Sequence, residues 1–116
     1  MGAPPEPGDR ILVLKKDWLE KILDGVKTLE LRHMRLKAGR CFLGSKSKIY
    51  GEAFLGEAEL VPTMVEFRAR YSGHRVDADS LPYKKTWAIP LLKVRKTQQQ
   101  WSYVHPTGAV GIVKFR

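Results

Sequence analysis

The chain has 116 residues, which is enough for one hydrophobic core but not for two. Its single cysteine cannot form an internal disulfide, so a reducing, intracellular setting (cytoplasm or nucleus) is expected. No run approaches the roughly 20 apolar residues that span a bilayer, so no membrane association is expected. The balance is basic, because 21 Lys and Arg against 12 Asp and Glu give a formal net charge of +9. This charge favours a polyanionic partner, of which nucleic acid is the commonest.

The basic residues fall largely in two blocks that contain no acidic residue. The first block lies between Leu31 and Gly51, and the second follows Asp79. If the fold brings the two blocks together, they form one positive surface for nucleic acid. The alternative is a well-solvated basic surface with no ligand.

The first predicted elements are a tail, a strand and a short helix. Residues 1–9 are rich in Pro and Gly and predict a disordered tail, which leaves residues 10–116 as the folded domain. The apolar run within residues 10–15 predicts a buried strand. Asp17 is then predicted to cap a helix, with Glu20 at the capping-box position. Gly25 is expected to end that helix in the left-handed conformation.

The next strand, predicted over residues 27–32, carries an unusual number of polar groups. Alternation along a strand places Thr28, Glu30 and Arg32 on one face, and Leu29 and Leu31 on the other. A hydroxyl, a carboxylate and a guanidinium on one face, just after Lys27, are too many polar groups for an ordinary buried strand. They predict the wall of a cleft.

A short strand over 40–43 and a polar loop over 44–48 are predicted next, followed by a longer strand over 49–61 with a bulge or bend at Gly56. Thr63 and Glu66 have the spacing of a second helix start, and Gly73 is predicted to end that helix.

The last third of the chain predicts short strands separated by turns. Residues 74–82 are predicted to be irregular, with one short helical turn at 77–81. A strand over 86–92, with Pro90 at an edge or bulge, is expected to lead into a polar connection at 95–100. Brief pairing at 101–103, a turn at 106–108 and a closing strand over 109–115 complete the prediction. The fold class is therefore α+β, a small mixed β-barrel with about two flanking helices.

A set of residues around the first helix resembles the signature of the ASCH domain family, whose fold is similar to that of the PUA RNA-binding domain. An aromatic and an aliphatic residue precede Gly-x-Lys-Thr-x-Glu-x-Arg; these positions are Trp18, Ile22, Gly25, Lys27, Thr28, Glu30 and Arg32. Later positions follow in the same order, namely Gly39, Ser45, Gly51-Glu52-Ala53, Thr86-Trp87 and Pro106-x-Gly108. The resemblance covers residues 10–116.

The resemblance implies a small PUA-like barrel with a cleft beside the first helix and the strand after it. It also implies RNA binding, since family members are proposed to bind RNA. One branch of small members hydrolyses the amide of acetylated cytidine with a Lys, a Thr and an acidic residue. Lys27 matches that Lys, Glu30 stands where the branch has Thr, and Glu66 and Asp77 lie in the region of the acid. Ribonuclease activity is a further possibility that the family implies.

The predicted function is therefore a nucleic-acid-binding module, with RNA or another single-stranded nucleic acid as partner and a cleft for one nucleotide or base. Its predicted binding residues are Lys27, Thr28, Glu30, Arg32, Arg35, Ser45, Lys46, Lys48 and Tyr103. Lys27 and Glu30 would be the catalytic residues if the protein is instead a hydrolase of a modified nucleoside or a ribonuclease. A third alternative is a protein-interaction module whose basic face meets an acidic partner. A monomer is expected.

The chemistry of each candidate has a structural alternative. Lys27 suits a phosphate or, if desolvated, a base or nucleophile, while Glu30 and Arg32 suit a base edge or phosphate but equally suit a structural ion pair. The hydroxyl and lysines of the 45–48 segment suit either a phosphate or a solvated turn. Trp101 and Tyr103 are predicted to be exposed and able to stack on a base, whereas Trp18 and Trp87 are predicted to be core. The scattered histidines predict neither a zinc site nor a cofactor.

Overall fold

The computed structural model describes residues 3–109 and 111–116, so Met1, Gly2 and Val110 lie outside the described residues. The strands in this part of the chain are β1 (Arg10–Val13), β2 (Leu29–Arg32), β3 (Gly39–Ser45), β4 (Lys48–Leu55), β5 (Glu59–Val61), β6 (Thr86–Ser102) and β7 (Ile112–Lys114). The helices are α1 (Lys16–Leu23), α2 (Met64–Ala69) and α3 (Tyr71–His74).

The strands form a curled mixed sheet in the order β2-β6-β4-β3-β1-β7, with β5 paired to β6. β1 runs parallel to β3, and the other described strand pairs are antiparallel. Arg32 of β2, at one end of this order, donates a hydrogen bond from its Nη2 to the Val13 carbonyl at 3.0 Å. This bond links β2 to β1, the neighbour of the strand β7 at the other end. The predicted α+β barrel is confirmed. It has three short helices instead of the expected two, because the second helical segment is divided into α2 and α3.

Strand alternation divides the apolar residues of β1 and β3 between two cores. Leu12 and Leu43 belong to the larger core, on which α1 packs Leu19 and Ile22. Ile11 and Phe42 face the opposite way, into a second core formed with Ile49, Tyr103 and Val113. A third cluster packs Phe67 of α2 against Leu31, Val61 and Ala88. Both faces of the central strands are therefore covered.

The two ends of α1 differ in how well the sequence predicts them. Asp17 is not the N-cap, because the helix begins at Lys16. The N-cap is Lys15, whose side chain makes no capping hydrogen bond. Gly25 does adopt a positive φ of 78° just after the helix, as predicted. The Gly25 N–H bonds the Ile22 carbonyl, and the N–H groups of Val26 and Lys27 both bond the Lys21 carbonyl. This turn fixes the direction in which the chain enters β2.

The middle of the chain contains more strand than predicted. The predicted loop over 44–48 reduces to the two residues Lys46 and Ser47, whose φ values of 48° and 66° suit a tight hairpin turn. The single strand predicted over 49–61 divides into β4 and β5. The division falls at Gly56, where a Cβ would lie 3.0 Å from the Pro90 Cβ. The expected bend at Gly56 is confirmed.

The second helical segment begins as predicted and ends differently. Thr63 caps α2, since its hydroxyl accepts a hydrogen bond from the Glu66 N–H at 3.3 Å. Gly73 does not end the segment, because α3 continues to His74 and the left-handed residue is Arg75, with φ 62°. Gly73 serves packing instead, since a Cβ there would lie 2.7 Å from Leu29 Cδ1.

Residues 75–82 are irregular, as predicted, but the helical turn expected at 77–81 is absent from this described segment. The polar connection predicted at 95–100 is wrong, because β6 continues to Ser102 and its polar residues occupy exposed positions beside β4. Pro90 lies where β6 passes from pairing with β2 to pairing with β4. The turn at 106–108 is confirmed by a hydrogen bond from the Ala109 N–H to the Pro106 carbonyl.

The chain ends lie side by side. The Gly8 N–H bonds the Phe115 carbonyl, and the Phe115 N–H bonds the Asp9 carbonyl. Disorder of residues 1–9 stays a prediction. Among the described residues, no helix combines the length and the apolar character needed to cross a membrane.

Candidate functional site

A cleft of about 350 Å³ opens between α1, β2 and the irregular segment after α3. Its lining residues are Val13, Leu14, Lys15, Trp18, Lys27, Glu30, Leu31, Arg32, Val76, Pro82 and Tyr83. Three of the predicted site residues, Lys27, Glu30 and Arg32, meet here. These three residues therefore line one cavity beside the first helix.

Lys27 lies at the bottom of the cleft with only 2% of its surface exposed. Its Nζ donates a hydrogen bond to the His74 carbonyl at 2.7 Å and lies 3.6 Å from Glu30 Oε1. The same ammonium lies 4.7 Å from the centre of the Trp18 ring. An ammonium has three N–H donors; the His74 carbonyl accepts one, and the Glu30 carboxylate lies within ion-pair distance of the same group.

Glu30 and Arg32 are brought to one side of β2 by strand alternation, opposite Ile89 and Trp87 of β6. The Arg32 Nε donates to Glu30 Oε2 at 2.7 Å. Arg32 also donates to the Val13 carbonyl, so much of its guanidinium is engaged in linking β2 to β1. Glu30 is 7% exposed and receives a cation on each side. The predicted structural pairing of Glu30 with Arg32 is confirmed.

The charges in the cleft are unequal, with two cations around one carboxylate. Burial lowers the pKa of Lys27, the Glu30 carboxylate opposes that change, and the Arg32 guanidinium adds to it. The cleft therefore presents a buried carboxylate that can accept hydrogen bonds and cationic donors beside it. Such a set recognises a polar, planar group that offers both donors and acceptors.

His74 supports the cleft from below. Its Nδ1 accepts from the Val76 N–H at 2.9 Å, so Nε2 carries the proton and donates to the Phe67 carbonyl at 2.7 Å. Burial lowers the pKa of His74, and the Lys27 ammonium lowers it further. The neutral imidazole of His74 in α3 thus links Phe67 of α2 to Val76, which lines the cleft. No sequence pattern indicated this role.

Aromatic rings stand at the cleft mouth. Trp18 was expected to be core, but it is only partly buried and faces the cleft. Tyr83 lies on the irregular segment, is 37% exposed and contacts the His33 ring at 5.8 Å between centroids. The contribution of Tyr83 depends on a long-range approach of chain segments, which no local pattern predicts. The signal for Trp18 was its aromatic position in the ASCH-like signature.

Two of the other predicted residues lie away from this cleft. Thr28 precedes β2 and is exposed, and its backbone bonds the Gly73 carbonyl and the Leu91 N–H. Arg35 is exposed and pairs with Glu57 at 3.4 Å. Glu66 and Asp77, which lie in the region expected to supply a catalytic acid, are exposed and do not line the cleft.

The predicted 45–48 segment lies on a neighbouring surface. Ser45 and Lys46 line a second cavity of about 570 Å³. The Lys48 Nζ reaches the Ser102 hydroxyl at 3.4 Å. Tyr103 was expected to be exposed, but that prediction is wrong, since it is 6% exposed inside the second core. Its ring would have to move before a base could stack on it.

A larger cavity of about 720 Å³ lies elsewhere, beside Glu52, Arg95 and Trp101. Burial tends to raise the pKa of Glu52, but hydrogen bonds from Arg40 and Arg95 hold it below its usual value. Both Glu52 oxygens are occupied by these guanidiniums, at 2.9 Å and 2.7 Å. This arrangement ties β3, β4 and β6 together, so Glu52 has a sufficient structural role. Across residues 3–109 and 111–116, no three Cys, His, Asp or Glu side chains gather as a metal site.

Comparison with known proteins supports the fold. No protein-family model matches this chain, and no curated protein sequence matches it. Solved structures that match include the ASCH protein ZmASCH from Zymomonas mobilis, which is 14% identical with a TM-score of 0.74 over 96% of this chain and 90% of that chain. A serine-to-alanine mutant of ZmASCH is 15% identical with a TM-score of 0.74, covering 97% of this chain and 92% of that chain. A tyrosine-to-phenylalanine mutant of ZmASCH is also 15% identical, with a TM-score of 0.74, and the match covers 94% of this chain and 91% of that chain.

The strand order, the packed helices and these matches define a small α+β barrel. More specifically, the chain has the ASCH-domain fold. The resemblance inferred from the Lys27 segment is therefore confirmed at the level of the fold.

Proposed function

We propose that this protein is an RNA-binding module whose cleft receives one unpaired base. The observation that carries the proposal is the buried Glu30 carboxylate, held by Arg32 and by Lys27, whose ammonium lies 4.7 Å from the centre of the Trp18 ring. A carboxylate at the bottom of a cleft accepts hydrogen bonds from exocyclic amino groups or ring N–H groups. The adjacent Lys27 ammonium donates to a ring carbonyl. Together they recognise a base edge.

The walls of the cleft suit a flat ring. Trp18 and Tyr83 are partly exposed aromatic residues of its lining, and unpaired bases stack on such side chains with about 1–3 kcal/mol of binding free energy each. The cavity volume of about 350 Å³ is near the lower end of ordinary small-ligand sites. A single base, and not a duplex, matches this size.

The surrounding charge supplies the affinity that does not depend on sequence. The two acid-free blocks lie partly on adjacent strands, since Lys48 of β4 pairs with Ser102 of β6. Contacts between lysines or arginines and phosphates release counterions, so affinity falls as salt rises. The basic surface accordingly attracts the strand, and the cleft selects the base.

The test measures binding of short single-stranded oligonucleotides to the intact protein at two salt concentrations. Affinity is expected to fall steeply with salt, and Glu30→Gln is expected to change the ranking of the four bases. Glu57→Gln is the matched control, because Glu57 pairs with Arg35 on the exposed surface. Absent binding, or an unchanged base ranking in Glu30→Gln, contradicts the proposal. An acidic protein partner captured after nuclease treatment would favour the protein-interaction alternative.

A hydrolase of a modified nucleoside is the second candidate, because burial lowers the pKa of Lys27 and so favours a neutral, basic amine. Thr28 lies outside the cleft, and Glu30 is the acidic group that faces Lys27. Incubation with acetylated cytidine, followed by assay of released acetate, tests this candidate. Turnover that disappears in Lys27→Met supports it, and no turnover removes it. Intact RNA after prolonged incubation removes the ribonuclease alternative.

A further inference from the structure

An apolar cavity of about 410 Å³ adjoins the candidate cleft. Arg32 and Tyr83 line both spaces, so these two side chains form the boundary between them. The other lining residues of the apolar cavity are His33, Met34, Leu36, Gly111 and Ile112. A ligand that fills the cleft therefore ends beside a further space of similar size.

The two acid-free blocks of the sequence meet at the apolar cavity. The first block contributes the end of β2 and the segment after it, and the second contributes Tyr83 and residues 111–112. Its described lining contains no acidic residue, whereas Glu30 lines the cleft. Lys84 and Lys85, which follow Tyr83, are exposed. A polyanionic strand that leaves the cleft in this direction meets no acidic side chain of the lining, so the charge here suits nucleic acid.

Arg32 presents different nitrogens to the two spaces. Its Nε donates to Glu30 in the cleft, and its Nη2 donates to the Val13 carbonyl. Its Nη1 lies against Gly111 of the apolar cavity, where a Cβ would be only 3.2 Å away. Gly111 has a φ of 82°, which glycine adopts readily, and its missing side chain leaves room for the guanidinium. A guanidinium at this boundary suits the phosphate that joins two nucleotides.

Tyr83 and Met34 give the apolar cavity a surface for a flat ring. The backbone of Tyr83 is fixed by Thr86, whose buried hydroxyl accepts from the Tyr83 N–H at 3.2 Å and donates to the Tyr83 carbonyl at 3.0 Å. The Tyr83 side chain therefore projects from a defined turn. Met34 is 54% exposed although it is apolar. A thioether is polarisable and adapts to aromatic rings, so this pair of side chains suits a base better than a sugar or a phosphate.

We propose that the apolar cavity receives a second unpaired base, from the nucleotide next to the one whose base occupies the cleft. The recognised unit is then two neighbouring nucleotides of a single strand. Arg32 contacts the phosphate that joins them, and Tyr83 contacts both bases. This inference rests on the proposed function and extends it from one base to two.

The test measures binding of a four-nucleotide RNA to the intact protein by calorimetric titration at low salt. In four companion RNAs one base at a time is removed, which leaves every sugar and phosphate in place. Removal at two adjacent positions is expected to weaken binding about tenfold each, the effect of losing one stacked base. Removal at the other two positions is expected to have little effect.

Variants then assign the two sensitive positions to the two spaces. Glu30→Gln is expected to change the base preference at one position, and Met34→Ala is expected to reduce the tenfold loss at the other to about threefold or less. Tyr83→Leu is expected to reduce both losses, because Tyr83 lines both spaces. Leu92→Ala is the matched control, since Leu92 is a comparably exposed apolar residue that lines neither space, and both losses should persist in it.

The outcomes separate this inference from the function it rests on. If only one position is sensitive to removal of its base, the second base site is overturned and the base cleft stands. If two positions are sensitive but Met34→Ala and Tyr83→Leu leave both losses unchanged, the second base lies elsewhere and the inference fails; the apolar cavity is then free for a protein partner. If no RNA binds, the proposed function and this inference fail together.

Discussion

Replacing Glu30 with Gln should destabilise the folded protein markedly while leaving the barrel intact. The substitution keeps the shape of the side chain but removes the anion that lies between Lys27 and Arg32. Lys27 is 2% exposed, so its ammonium would remain buried with only the His74 carbonyl as a close partner. Loss of one partner from a buried ion pair usually costs about 3–5 kcal/mol in the free energy of unfolding.

The expected cost for Glu30→Gln is just below that range, about 2–3 kcal/mol. Arg32 retains 17% side-chain exposure and its bond to the Val13 carbonyl, which limits the loss on that side. For a domain of this size, about 2–3 kcal/mol corresponds to a fall in the melting temperature of about 10 °C.

Urea unfolding at neutral pH, in a cycle with Lys27→Met, measures the interaction directly. Lys27→Met should cost less, about 1 kcal/mol, because Glu30 keeps Arg32 and the buried charge is gone. The double variant should be more stable than additivity predicts by about 1–2 kcal/mol. A Glu30→Gln protein within about 0.5 kcal/mol of wild type, or strictly additive effects, would refute the inferred charge coupling.

Three further predictions concern residues outside this ion pair. Gly73→Ala should lower the free energy of unfolding by about 1 kcal/mol, because the clash of the new Cβ with Leu29 outweighs the gain in helix propensity. An increase in the urea midpoint of Gly73→Ala would contradict this packing. Because burial lowers the pKa of His74, the unfolded chain takes up a proton first as pH falls below 6.5. Stability should therefore decline from pH 6.5 down to the folded-state pKa, and an equally steep decline in His74→Gln would show that another group is responsible. Burial raises the pKa of the Cys41 thiol to about 11, so at pH 8 it should react with an alkylating reagent only on unfolding; rapid labelling of the native protein would disprove this.

The sequence predicted the features that depend on local chemistry. The Thr63 cap, the Gly25 helix stop and the bend at Gly56 each follow from residues within a few positions. The pairing of Glu30 with Arg32 follows from strand alternation and from their charges. These signals were sufficient to predict the fold class.

The features that depend on distant contacts were not predicted. β6 is long because backbone pairing with β4 supports its polar residues, which carry no strand pattern of their own. Tyr103 is buried because the end of β6 packs beside β1 and β7, and its polar neighbours gave no indication of this. Lys27 is buried because α3 lies beside the start of β2, where the Gly73 carbonyl accepts from the Thr28 N–H and the His74 carbonyl accepts from the Lys27 ammonium. Each requires the assembled barrel.

The most direct test of the base cleft is a nuclear magnetic resonance titration of the protein with short single-stranded RNA. Trp18 borders the cleft, whereas Trp101 lies beside the cavity at Glu52 and Arg95 and serves as an internal control. The proposed function predicts that the Trp18 indole resonance shifts with saturation in wild type and that its dependence on base identity changes in Glu30→Gln. Shifts at Trp101 with none at Trp18 would contradict it, because the RNA would then bind at a different surface.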